Sequence, residues 1–161
     1  APETRLLIAG TGPEETALRA LAQELGVAAR VHFLGAVPHD QLRGVYSAAD
    51  ALLLASSREG WPNVLLESLA CGTPAVATSV NGTPEVVRDP VAGQVVAERT
   101  PEALAEALRT VLAVPAVPAA VRAYAERFSW DATSQGQIEL FRQIAASWER
   151  PARIHARTRA A

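Results

Sequence analysis

Two short apolar runs, Ala51–Ala55 and Ala75–Ala77, enclose a stretch that reads Ser-Arg-Glu-Gly-Trp-Pro-Asn-Val-Leu-Leu-Glu-Ser-Leu-Ala-Cys-Gly-Thr-Pro from Ser57 to Pro74. Val64, Leu65, Leu69 and Ala70 recur at helical spacing, and Gly72 and Pro74 end the pattern. Pro62 suits a first helical position and Asn63 a cap or first turn. The unit is therefore strand, loop, helix, strand, with its loop at the carboxyl end of a buried strand. Two strands joined through a helix pair in parallel, so this stretch already excludes an all-α or a hairpin-built fold.

The same alternation runs along most of the chain. Arg5–Gly10 reads as a buried strand, Gly10-Thr-Gly-Pro13 as a turn, and Leu18, Leu21, Ala22 and Leu25 as the apolar face of a helix closed by Gly26. Strands are predicted at Val31–Gly35, Ala51–Ala55, Ala75–Thr78 and Gly93–Val96, and a short helical or extended piece at Glu85–Val87. Helices are predicted at Asp40–Ala49, Pro101–Leu112, Ala119–Phe128 and Asp131–Trp148. This is an α/β chain, a Rossmann-like parallel sheet with helices on both faces, and ligands in such sheets bind beyond the carboxyl ends of strands. One domain is expected over residues 1–149, followed by an Arg-rich tail, 150–161, that has no period and is expected to be flexible.

The helix start carries the chemistry. Its leading amide groups lack partners and bear partial positive charge, so it attracts phosphate; the free donors would include Asn63 and Val64. Glu59 lies in the loop before the helix, and Glu67 roughly one turn inside it on the same face as Asn63. Carboxylates accept hydrogen bonds from vicinal hydroxyls, which sugars supply in pairs. A diphosphate between two sugars, a nucleotide sugar, satisfies all three features.

Glu59 and Glu67, with seven residues between them in the string Glu-Gly-Trp-Pro-Asn-Val-Leu-Leu-Glu and followed by Ala-Cys-Gly-Thr-Pro, resemble the signature of retaining GT-B glycosyltransferases (group 1, family 4), the group that includes sucrose synthases and phosphatidylinositol mannosyltransferases. The resemblance runs from about Leu6 to about Phe141 and covers the carboxyl-terminal, nucleotide-sugar half of such an enzyme. It implies transfer of a sugar to an acceptor hydroxyl with retained configuration and no metal; no Asp-x-Asp occurs. By position it implies that Glu59 is catalytic or orients the donor, that Gly60, Trp61 and Pro62 position the donor sugar, that the Asn63 and Val64 amides hold the distal phosphate, and that Glu67 holds the ribose hydroxyls. Gly10 and Gly12 would line the cleft. Ala36 and Val37, after Phe33-Leu-Gly35, would meet the nucleobase through their backbone. Asn81-Gly-Thr-Pro-Glu85 resembles the family's Gly-x-Pro-Glu loop.

Gly10-Thr-Gly12 also permits a dinucleotide fingerprint, but Glu15 stands where its third glycine belongs and no acid ends the next strand. His39 has no evident partner and reads as a surface residue at a helix start; Glu85 reads as a helix-start acid. A nucleotide-sugar epimerase needs an acid cluster that is not found, and a non-catalytic nucleotide-sugar module is the other alternative.

Composition adds exclusions. Charge is close to balanced, so no nucleic-acid partner is implied, and no apolar run has the length of a membrane span. One cysteine, Cys71, excludes an internal disulfide and agrees with a cytoplasmic protein, with the Arg-rich tail available for peripheral contact at the membrane's cytoplasmic face. There is no Met and no Lys, and the missing Met suggests a fragment. The family's amino-terminal acceptor domain, and a Gly-Arg-Leu segment with a later Lys that forms a central strand, have no counterpart here. Losing that strand should leave a gap between the strands at Leu6–Ala9 and Ala51–Ala55, or let them pair directly, with strain, homo-oligomerisation or weakened nucleotide binding as consequences.

Overall fold

In a computed structural model that describes residues 3–148, the most enclosed strand is Ala75–Thr78, in which all four residues are buried. In chain order the elements are β1 (Leu6–Ala9), α1 (Glu15–Glu24), β2 (Val31–Gly35), α2 (His39–Ala48), β3 (Leu52–Leu54), α3 (Asn63–Ala70), β4 (Ala75–Thr78), α4 (Thr83–Val86), β5 (Gly93–Val96), α5 (Pro101–Ala113), α6 (Pro118–Ala125) and α7 (Trp130–Ser147). A 3-10 turn at Ala28–Arg30, which no motif announces, leads into β2. The alternation expected from sequence is present. The main difference is α6, which stops at Ala125 rather than Phe128, because the chain turns there and Ser129 takes the extended conformation that starts α7.

All strand pairs are parallel, in two sheets: β1–β2, and β3–β4–β5 with β4 central. Val76 of β4 packs with Val96 and Ala107, and Ala103, Leu104, Leu108 and Val111 of α5 close that core. Alternation turns Ala75 and Ala77 to the opposite face. There α3, which touches β3 and β4, buries Leu65 and Leu69 completely. Helices on both faces explain why β4 is an unbroken apolar run apart from Thr78.

Among the described residues β1 and β3 do not pair, so of the two outcomes expected for a missing central strand the gap is the one observed. Its signature is exposure: Leu6 and Leu7 of β1, which point to opposite faces, are both exposed, as is Leu53 of β3. Leu53 and Ala55 line an open, largely apolar groove of about 450 Å3 with Leu104 and Leu108.

The described chain divides into two units after Ala125. The first holds all five strands and α1–α6. Within it the Tyr124 hydroxyl donates to Val86 O (2.7 Å) and accepts from Arg88 N–H (3.2 Å), fixing α6 to the segment after α4. The second holds α7, in which Ile138, Phe141 and Ile144 recur every three residues and are exposed. The Arg-rich tail lies outside the described residues.

Candidate functional site

Each sequence-predicted site residue lies at, or just beyond, the carboxyl end of a strand: Gly10 and Gly12 after β1, Ala36 and Val37 after β2, and Glu59–Glu67 after β3. The loop after β3 is held from two sides. At its start the Thr78 hydroxyl, at the end of β4, donates to Ser56 O (2.6 Å). Further on, the Asn81 side-chain amide donates to the backbone carbonyl of Glu59. Gly82 approaches so closely that a Cβ there would lie 2.9 Å from the Trp61 ring and 3.1 Å from Gly60 O.

Helix α3 begins at Asn63, with Pro62 buried as its N-cap rather than its first residue. The start of the helix is open: Trp61, Asn63 and Val64 are exposed. One expectation changes here. The Asn63 amide is not free but donates to Trp61 O (2.9 Å), because the chain folds into a tight three-residue turn around Pro62. Leu65 N–H donates to Pro62 O (3.0 Å). Among the described residues the Val64 amide has no partner.

The two acids differ. Among the described residues the half-buried Glu59 carboxylate makes no hydrogen bond or ion pair. Glu67 is held on both oxygens: the Tyr46 hydroxyl donates to Oε2 at 3.0 Å, and His39 Nε2 lies 3.3 Å from Oε1. Tyr46 is buried, whereas His39 is almost fully exposed. The Tyr46 phenol is pushed up from 10.0 to about 12, first by burial and then by its hydrogen bond to Glu67 and that carboxylate's charge. Thr73, in the turn after α3, donates its hydroxyl to Tyr46 O (2.7 Å), so one residue of α2 is tied to α3 at its side chain and to the α3–β4 turn at its backbone.

His39 follows Ala36-Val37-Pro38 directly, so its contact with Glu67 brings the end of β2 beside α3. Gly10 N–H donates to Gly35 O (2.7 Å), joining the turn after β1 to the same strand end. Gly10 sits at φ 124°, a conformation that side chains rarely adopt, and a Cβ at Gly12 would meet nothing. Among the described residues no hydrogen bond joins this turn to the Glu59 loop.

Sequence reasoning missed the partners of Glu67. They lie 28 and 21 residues before it, but His39 and Tyr46 are themselves seven apart, two turns on one face of α2. That spacing is the signal that both could face one neighbour. Among the described residues no group of three or more His, Cys, Asp or Glu side chains is placed to hold a metal ion.

A sequence profile described as Glycosyl transferases group 1 matches residues 1–128. The chain belongs to that family. Among curated relatives, the group 1 glycosyltransferase chain is 39% identical over 149 residues to a D-inositol 3-phosphate glycosyltransferase from Segniliparus rotundus, covering 88% of this chain and 33% of the relative. It thus spans about a third of that relative's length. Its fold is that of GT-B glycosyltransferases. A sucrose-phosphate synthase from Thermosynechococcus elongatus superposes with TM-score 0.74 at 30% identity, over 89% of this chain and 39% of the other. HepE from Anabaena, solved in complex with UDP-glucose, shares the fold at 23% identity with TM-score 0.69, over 89% of this chain and 42% of the other.

Proposed function

We propose that this chain is the donor-binding domain of a retaining, metal-independent glycosyltransferase that moves a sugar from a nucleoside-diphosphate sugar to an acceptor hydroxyl. The observation that carries this reading is the open start of α3. A Val64 amide with no partner among the described residues stands there with Glu67 one turn on, its carboxylate already held by the Tyr46 hydroxyl. A phosphate oxygen would accept from Val64 N–H, and from Asn63 N–H once that amide gives up the Trp61 carbonyl. The same donors stabilise the diphosphate as it leaves with increased charge. Each Glu67 oxygen has one protein partner and a lone pair left for a ribose hydroxyl. Glu59, its carboxylate without a partner among the described residues and on the other side of the helix start in sequence, orients the donor sugar with Gly60, Trp61 and Pro62. Ala36 and Val37 meet the base, and Gly10 and Gly12 border the cleft.

Tested by themselves, residues 1–161 should bind the donor; transfer needs an acceptor site as well. Calorimetric titration with UDP, GDP and ADP and their glucose conjugates tests the site and names the base. Binding of one of them, weakened by Glu67→Gln, supports it; no binding of any of the six ends it. In a longer enzyme carrying this domain, Glu59→Ala should abolish transfer while nucleotide binding survives.

A further inference from the structure

We infer that Tyr46 is a positioning residue for ribose recognition: its hydroxyl sets the plane and the free lone pairs of the Glu67 carboxylate, so that Glu67 can take two neighbouring hydroxyls at once. The inference rests on the donor-site reading above.

A carboxylate on a helix rotates about its terminal bond with little resistance. To accept from two vicinal hydroxyls together, one on each oxygen, it must be held in a single orientation. Tyr46 O–H holds Oε2 at 3.0 Å. The holder is itself rigid. Its ring is buried, and its carbonyl takes the Thr73 hydroxyl at 2.7 Å. Thr73 in turn is buried, and its own carbonyl accepts from the Ser68 hydroxyl of α3 at 3.0 Å. The chain of contacts thus starts and ends on the helix that carries Glu67, and passes through the phenol and the backbone carbonyl of Tyr46 on α2. With its proton held to about pH 12, that phenol remains a donor throughout the neutral range. It can only give a hydrogen bond to Oε2, which leaves the remaining lone pairs of both oxygens for the ligand. His39 cannot do the same work. Its side chain is 84% exposed and its contact is longer, so solvent competes for it.

The test is calorimetric titration of the chain with UDP and with 2′,3′-dideoxy-UDP, for the unaltered protein, Tyr46→Phe, His39→Ala and Glu67→Gln. Tyr46→Phe should raise the UDP dissociation constant about threefold to tenfold, the loss of one hydrogen bond, and change dideoxy-UDP binding by less than about twofold. His39→Ala should change both by less than about twofold. Equal weakening of both ligands by Tyr46→Phe, or no weakening of either, overturns the inference while the site reading stands. No UDP binding by the unaltered chain, or full binding by Glu67→Gln, overturns the reading and the inference together. If Tyr46→Phe does not fold, the carbon-13 shift of the Tyr46 phenol carbon in the unaltered chain decides. It should move on adding UDP and not on adding dideoxy-UDP, and the same response to both overturns the inference.

Discussion

The side-chain amide of Asn81 donates to the backbone carbonyl of Glu59, so the loop after β4 holds the loop that opens α3. Asn81 also has φ 40°, in the left-handed region that Asn and Gly tolerate. These two roles separate by substitution. Asn81→Gly keeps the backbone and loses the tether: the melting temperature should change little, and affinity for the nucleotide-sugar donor should fall several-fold. Asn81→Ala loses both and should be less stable than Asn81→Gly by about 1–2 kcal/mol. Thermal melting and donor titration of the two variants check this; equal stability would show that the backbone conformation carries no cost.

Gly93 opens β5 against Ala75 of β4, at φ 121°, and a Cβ there would lie 1.8 Å from the Ala75 carbonyl oxygen. The clash is with backbone in the central strand, which cannot move aside without breaking the sheet. Gly93→Ala should therefore cost more than about 4 kcal/mol and leave little soluble, folded chain. Gly136, in the middle of α7, meets nothing, so there Gly→Ala should stabilise the helix by up to about 1 kcal/mol. Far-UV circular dichroism with soluble yield reads both, and opposite signs are expected from the same chemical change.

Thr83 is wholly buried at the start of α4, and among the described residues its hydroxyl has no hydrogen-bond partner. Val has the same shape without the polar group. Thr83→Val should raise stability by about 1 kcal/mol, a few degrees in melting temperature, because a desolvated hydroxyl that bonds nothing is removed. Thr83→Ser should lower it, since the hydroxyl stays and a methyl is lost. A chemical denaturation series orders the three.

Tyr46 gives the fold an alkaline limit. Its pKa is about 12 in the folded chain against the ordinary 10.0. The folded state therefore keeps a proton that the unfolded state loses, and stability falls as pH rises from 10 through 12. Below pH 10 the contribution is fully present. The loss is on the order of 1 kcal/mol once solvent access to the partly exposed Glu67 partner is allowed for. Tyr46→Phe should flatten this limb of the stability profile. Urea unfolding at pH 9 and pH 11.5 measures it; an unchanged slope in the variant would assign the alkaline loss to other groups.

Much of the fold was legible because its signals are local. β2, β4 and β5 fall on the residues expected, since each is a short apolar or β-branched run closed by glycine, proline or a polar turn. Pro62, Gly72 and Pro74 bracket α3 for steric reasons that hold in any context. The candidate site was legible only in part. Glu59, Asn63 and Glu67 announce themselves by spacing around one helix start, whereas Tyr46, Asn81 and Gly82 do not, since each acts on a partner at least 21 residues away.

Backbone stereochemistry and hydrophobic periodicity are properties of neighbours in the chain, so the sequence alone determined the order of strands and helices, their parallel pairing and the loops that could meet a ligand. Tertiary structure alone decided which polar atoms are already taken. It closed the Asn63 amide onto Trp61, left Val64 N–H open, aimed Tyr46 at Glu67 and parted β1 from β3. Hydrogen-bond partners and sheet neighbours depend on distance in space, which folding sets among residues that the sequence keeps far apart.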